Sequence, residues 1–174
     1  ASNELVHVDA GAYGATHGDR IFRFFTNINP TEPRVWRVKG TFPDLFAHYR
    51  AQAGMPDGLA LEKSGLDRFY SGFVRTVTRV FPMARSVDSS PYDRAMRRFH
   101  NFLKDSDEFQ AGAEGERIIE FGPWNSWMVL TDMIGHSCIS GQYMLSNTYV
   151  LPLANCRNRR LTPYECLKSP AARP

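Results

Sequence analysis

The sequence predicts an α+β fold that is mainly antiparallel β, a double-stranded β-helix (jelly roll) carrying a helical insertion. Three observations support it. Both ends of the chain alternate with period two, the middle, about residues 43–107, switches to helical period, and no regular alternation of strand and helix supports a parallel α/β sheet. At 174 residues and 19.8 kDa the chain has the size of one domain, 1–174, and its 43% hydrophobic and 22% charged content excludes disordered and collagen-like classes.

Residues 4–10 (ELVHVDA) read as a half-buried strand that runs into a Gly- and Ala-rich loop, AGAYGATHGD. RIFRFFTNIN is β-favouring and closes at the Asn29-Pro30 turn signal, and PRVWRV alternates Val35 and Arg37 against Trp36 and Val38. Phe42, Leu45, Phe46 and Tyr49 then recur at helical spacing in a segment that stops near Gly54. A longer amphipathic helix is expected from Ser64, its N-cap, to Pro82, with Leu66, Phe69, Tyr70, Phe73, Val74, Val77 and Phe81 on one stripe. Another opens at Ser90-Pro91, cap plus first-turn proline, and buries Tyr92, Met96, Phe99 and Leu103. After the polar stretch KDSDEFQAGAEGE, the segments RIIEFGP, SWMVLTDM and QYMLSNTYVLPL return to strand pattern, with PWN and IGHS as connecting turns.

Cys138, Cys156 and Cys166 form no CxxC pair and are odd in number, so reduced thiols in a cytoplasm are expected. No apolar run is long enough to span a bilayer, and ASNELVHVDA does not resemble a signal peptide, so a soluble, unexported protein is expected. The formal charge of +3 resides in the tail, 155–174, where Arg157, Arg159, Arg160, Lys168 and Arg173 face a single acid, Glu165. Such a tail suits an anionic membrane surface or simple solvation. Nucleic acid is not expected as a partner, because no aromatic platform interleaves with the basic residues.

The chemistry-bearing pattern is His7-Val8-Asp9. Residues two apart on a strand share a face, so the imidazole and the carboxylate can reach one ion, although a surface strand pair gives the same pattern. Two histidines and one carboxylate form the open facial triad of non-haem Fe(II) oxygenases, and His136, placed after the strand WMVLTD by a tight Met-Ile-Gly turn, is the candidate third ligand. His17, His48 and His100 are weaker candidates, the first in a loop and the others on helices. A keto-acid cosubstrate needs a fixed cation for its far carboxylate. Arg23 sits on a strand of Ile and Phe where an unpaired guanidinium is costly, and a snorkelling surface arginine is the alternative. Asn27 and Asn29 share the parity of Arg23 and are candidates to line the same interior.

In order along the chain, HVDA, GDRIFRFFTNINP, EPRVWRV, SPYDRAM and SWMVLTDMIGHSCISGQ resemble the Kdo hydroxylases, iron(II)- and 2-oxoglutarate-dependent dioxygenases acting on 3-deoxy-D-manno-oct-2-ulosonic acid of the lipopolysaccharide inner core. The likeness runs from about His7 to Leu153, and the TNINP-x-EPRVWRV block is its most specific part. The resemblance implies that His7, Asp9 and His136 ligate Fe(II) and that Arg23, with Asn27 beside it, holds 2-oxoglutarate. It further implies reaction with O2, a jelly roll, and hydroxylation at C3 of the Kdo sugar of lipid A by a cytoplasmic protein peripheral to the inner membrane of a Gram-negative bacterium. Arg34, Arg37 and the basic tail are then candidates for the sugar carboxylate and lipid phosphates.

Only six residues precede His7, whereas the family carries a substantial region there, so a jelly roll lacking its first strands, or one whose edges the helices and tail cover, is expected. Two other readings stay open at this stage. A cupin-like metal-binding isomerase needs no 2-oxoglutarate and is separated by whether Arg23 faces the metal cavity; a non-catalytic barrel module predicts His7, Asp9 and His136 far apart.

Overall fold

The computed structural model describes residues 4–11, 14–61, 65, 69 and 89–169. Among the described residues, six strands form two antiparallel three-stranded sheets. In the first, β1 (Arg20–Asn27) lies between β4 (Ser126–Leu130) and β6 (Met144–Leu151); in the second, β2 (Arg34–Thr41) lies between β3 (Glu116–Phe121) and β5 (Ile134–Ser140). The two central strands are consecutive in sequence but belong to different sheets. A polar turn joins them, in which the Asn27 side-chain oxygen accepts from Asn29 N at 3.0 Å and that of Asn29 accepts from Thr31 N at 3.0 Å and Glu32 N at 3.1 Å.

Aromatic side chains join the inner faces of the two sheets. Phe25 meets Trp36 edge-on at 5.0 Å between centroids, and Trp127 stacks on Phe121 at 3.8 Å. The period-two pattern of β1 and β2 sends these rings inward and leaves Arg23 and Arg34 on the same faces.

The second core is helical. It packs α1 (Phe42–Tyr49), α2 (Pro91–Asp105), α3 (Asp107–Ala111) and α4 (Pro163–Lys168) through Phe42, Phe46, Phe99, Leu103, Phe109 and Leu167. Ser90 and Asp93 form a reciprocal capping box at the start of α2, as the Ser-Pro signal leads one to expect. The helix expected over 64–82 falls, apart from Gly65 and Phe69, outside the described residues. No helix among the described residues is long and apolar enough to cross a membrane.

Four sequence-based expectations need correction. Residues 4–10 are not a half-buried strand; only His7 pairs, in an isolated antiparallel bridge to His136, and the segment is buried on both sides. The IGHS segment is not a turn, because Ile134–Ser140 is β5 and the chain reverses one step earlier, at Thr131–Met133. The polar stretch after α2 contains α3, whose Phe109 is fully buried beneath the Lys39 ammonium; that ammonium donates to the Phe109 carbonyl and, at 2.6 Å, to that of Gly112. Lastly, the segment expected as a tail is folded through residue 169: Thr162 caps α4, and Leu167 enters the helical core.

Candidate metal centre and the cavity around it

His7, Asp9 and His136 come together although 127 or more residues of sequence separate the first two from the third. The His7–Asp9 segment is wedged between the two cores. Val6 and Val8 point into the helical core, both wholly buried, so period-two alternation turns His7 and Asp9 toward the sheets. His7 N donates to His136 O at 3.0 Å and His136 N to His7 O at 2.8 Å, which holds the two residues directly opposite each other. Asp9 N donates to Thr131 O at 2.9 Å, tying the same segment to the turn before β5. On its other side β5 lies close against β2 at Gly135, where a Cβ would lie 2.5 Å from Lys39 O.

Both imidazoles are oriented alike. His7 Nδ1 lies 2.7 Å from Leu5 O and His136 Nδ1 lies 2.9 Å from Ile134 O. A carbonyl only accepts, so each Nδ1 carries the proton and each Nε2 offers a lone pair. One ligand atom from each imidazole and one from the Asp9 carboxylate lie within 4.8 Å of one another, and His7 Nε2 stands 3.6 Å from Asp9 Oδ1. Burial pushes the His136 imidazole down to about 4, against the opposing pull of Asp9, so it is neutral and able to ligate at pH 7. Burial alone would raise the Asp9 carboxyl, but the contact with His7, then the fields of His136 and Arg23, outweigh it and hold Asp9 well below the usual carboxylate range.

Arg23 Nη2 stands 2.9 Å from Asp9 Oδ2. The alignment does not make a directed hydrogen bond, and Asp9 Oδ2 and Arg23 Nε are both buried without a hydrogen-bond partner. A buried carboxylate beside two Nε2 lone pairs is the donor set of a divalent cation, and the residues fit one. Among the described residues this is the one His/Cys/Asp/Glu cluster of metal-site compactness.

The three groups open on a cavity of about 120 Å³ lined also by Arg23, Arg34, Phe25, Trp36 and Met144. Arg34 was a candidate for a sugar carboxylate; the structure instead places it here, its Nη1 donating to Gly141 O at 3.0 Å and its Nε buried without a partner. Gly141 has φ +110°, and a Cβ there would lie 2.8 Å from Arg34 Cα. The sequence signal for Arg34 was available, because it shares parity with the inward Trp36. Asn27 has a different task from the expected one: its amide donates to the Glu32, Phe121 and Gly122 carbonyls at 2.9–3.2 Å, so it braces the β1–β2 turn and does not face the cavity. Asn29 serves the same turn, and Arg37 lies against Glu116 at 3.6 Å. His17 and His48 stand apart, whereas His100 meets His7 edge-on at 4.9 Å.

Over residues 1–174 the sequence matches the family described as 3-deoxy-D-manno-oct-2-ulosonic acid (Kdo) hydroxylase. The chain belongs to the Kdo hydroxylase family. Its fold is similar to that of a crystal structure of the Kdo hydroxylase KdoO, a non-haem Fe(II) α-ketoglutarate-dependent dioxygenase in complex with α-ketoglutarate and Fe(III), with TM-score 0.75 and 25% identity over 98% of this chain and 55% of that one. KdoO in complex with cobalt(II) gives TM-score 0.74 at 24% identity, covering 99% and 55%. KdoO with succinate and Fe(III) gives 0.73 at 24%, covering 99% and 56%. This Kdo hydroxylase family member thus spans about half the length of the solved structures it matches. No curated protein matches the chain.

Proposed function

We propose that the chain carries the catalytic centre of an Fe(II)- and 2-oxoglutarate-dependent dioxygenase that hydroxylates the Kdo sugar at C3. The observation that carries this reading is one cavity holding the His7–Asp9–His136 donor set together with two arginines. Membership of the Kdo hydroxylase family supports the substrate. The strand orders β4-β1-β6 and β3-β2-β5, with the His7 bridge beside β5, support a double-stranded β-helix built from a single domain.

In this reading His7 Nε2, His136 Nε2 and Asp9 hold Fe(II), and Arg34, assisted by Arg23, receives the far carboxylate of 2-oxoglutarate. When bound, iron, 2-oxoglutarate and O2 supply the oxidising power: the keto acid leaves as succinate and carbon dioxide, and the second oxygen atom enters a substrate C–H bond. The chain's own residues position and shield. Arg34 Nε is a buried donor awaiting an acceptor. His7, then His136 and Arg23, keep Asp9 ionised, and Phe25, Trp36 and Met144 present apolar walls that exclude water.

The alternative module, with the three ligands apart, does not fit groups within 4.8 Å of one another, and the isomerase reading is weakened by Arg23 facing the metal cavity. For a lipid-linked acceptor, Arg157, Arg160 and Lys168 are the cations we assign to anionic membrane contact at the inner membrane. The test is mass spectrometry of Kdo-bearing lipid incubated with the protein, Fe(II), ascorbate and 2-oxoglutarate. One added oxygen on the sugar, matched by succinate, is expected; succinate without sugar oxidation rules out Kdo as the acceptor.

A further inference from the structure

Asp9 lines two cavities. The inner one, about 120 Å³, has the size and the paired guanidinium groups for a small dicarboxylate. A second cavity, also lined by Asp9, lies between the loop it leads into and α2; it has about 350 Å³, near the lower end of the range for small-molecule pockets. That is room for one sugar unit and not for a lipid.

The outer cavity lies between a polar helix face and the small loop residues Ala10, Gly11, Gly14 and Ala15. Asp93, Arg97, His100 and Asn101 fall at helical spacing on one side of α2, while Gly11 and Gly14 stand among the loop residues that face them. Asp93 fixes this loop. Its Oδ1 accepts from Thr16 N at 2.7 Å and from His17 N at 3.3 Å, and its Oδ2 accepts from Ser90 N at 2.9 Å, so it clamps the loop to the start of α2. His100 Nδ1 lies 2.7 Å from Val8 O and so carries the proton, leaving Nε2 as an acceptor. Arg97 is exposed, donates to Ser89 Oγ at 3.1 Å and has no acidic partner among the described residues. Arg20, Arg23, Arg37, Arg50 and Arg159, by contrast, each stand against a carboxylate.

We propose that this outer cavity binds the carboxylated, polyhydroxylated acceptor, with the Arg97 guanidinium receiving its carboxylate and His100 Nε2 and the Asn101 amide meeting its hydroxyls. The assignment rests on the oxygenase reading for its chemistry and specifies where the sugar acid is held. Arg97 fixes the end of the acceptor that carries charge, so the carbon presented to Asp9's side of the pocket is set by the distance between the two.

The test is calorimetric titration of free Kdo, and of its methyl ester, into the wild-type protein, Arg97→Ala and Arg97→Lys. Arg97→Ala is expected to weaken Kdo binding about 10- to 100-fold, the scale of one charge-assisted contact, with Arg97→Lys intermediate. The ester should bind wild type and Arg97→Ala alike, and iron affinity and acceptor-free 2-oxoglutarate decarboxylation should not change. Equal Kdo affinity in wild type and Arg97→Ala, an ester as sensitive to Arg97 as the acid, or no Kdo binding by wild type overturns the assignment. A wild-type protein that binds Kdo through Arg97 but takes up no iron would keep this pocket and remove the oxygenase reading. Iron-dependent turnover with Kdo affinity indifferent to Arg97 would do the reverse.

Discussion

His7 and His136 exchange both backbone hydrogen bonds across an isolated antiparallel bridge, at 3.0 and 2.8 Å, and each turns its Nδ1 to the carbonyl two residues before it. The bridge fixes backbone separation and the carbonyls fix the tautomer. Ring orientation and the free ring nitrogen are thus set by the main chain, which is the preorganisation the proposed metal site requires.

Replacing a ligand should remove the ion and leave the fold. Asp9→Ala and His136→Gln are expected to lose at least ~100-fold in Fe(II) affinity, more than the 10- to 100-fold typical of an outer-shell partner, while circular dichroism stays that of the wild type. Wild-type affinity in either variant would exclude that residue from the site.

The two arginines of the inner cavity should separate by ligand. Arg34→Ala removes a carboxylate partner and no contact to Asp9, so 2-oxoglutarate binding should weaken ~10- to 100-fold with Fe(II) affinity unchanged. Arg23→Ala removes a guanidinium from the same cavity and also the positive charge that competes with an ion for Asp9, so 2-oxoglutarate binding should weaken while Fe(II) affinity rises. Anaerobic titrations of each variant decide this; indifference of 2-oxoglutarate to both substitutions would place its carboxylate elsewhere.

The buried pair Arg20–Asp132 joins the start of β1 to the turn that precedes β5, with Nε–Oδ2 at 2.5 Å and Nη2–Oδ1 at 3.0 Å. Asp132→Ala strands a buried guanidinium and is expected to cost about 3–5 kcal/mol in urea unfolding. A loss under 1 kcal/mol would mean that water reaches the site.

Acid should destabilise the metal-free protein through His136. Its folded value, about 4, lies below its ordinary 6.5, so under pH 6.5 the unfolded chain takes up more protons. Stability is complete above pH 6.5 and falls toward pH 4, by up to about 3 kcal/mol. Unfolding at pH 7.5 and 4.5 should reveal a difference that His136→Gln reduces; an equal loss in that variant would assign the effect to other groups.

Much of this was legible in the sequence, for physical reasons. β1, β2 and the start of α2 announce themselves through Phe and Ile alternation and the Ser90-Pro91 cap, which are local signals, and the clustering of His7, Asp9 and His136 followed from His-x-Asp and one later histidine. The failures share a cause. Val6 and Val8 serve one core while His7 and Asp9 serve a site, so a segment buried on both sides imitates a half-buried strand. Ile134-Gly135-His136 looks like a turn because Gly135 is needed for a close approach to Lys39, which is a tertiary demand. Asn27 shares the parity of Arg23, but parity does not reveal that three carbonyls already occupy its amide.

The most direct test of the central claim is anaerobic titration of Fe(II) into the protein with and without 2-oxoglutarate, for wild type and Asp9→Ala. One ferrous ion per wild-type chain, 2-oxoglutarate binding that depends on it, and loss of both in Asp9→Ala are the predicted results. Undiminished iron in Asp9→Ala, or no iron in the wild type, would contradict it.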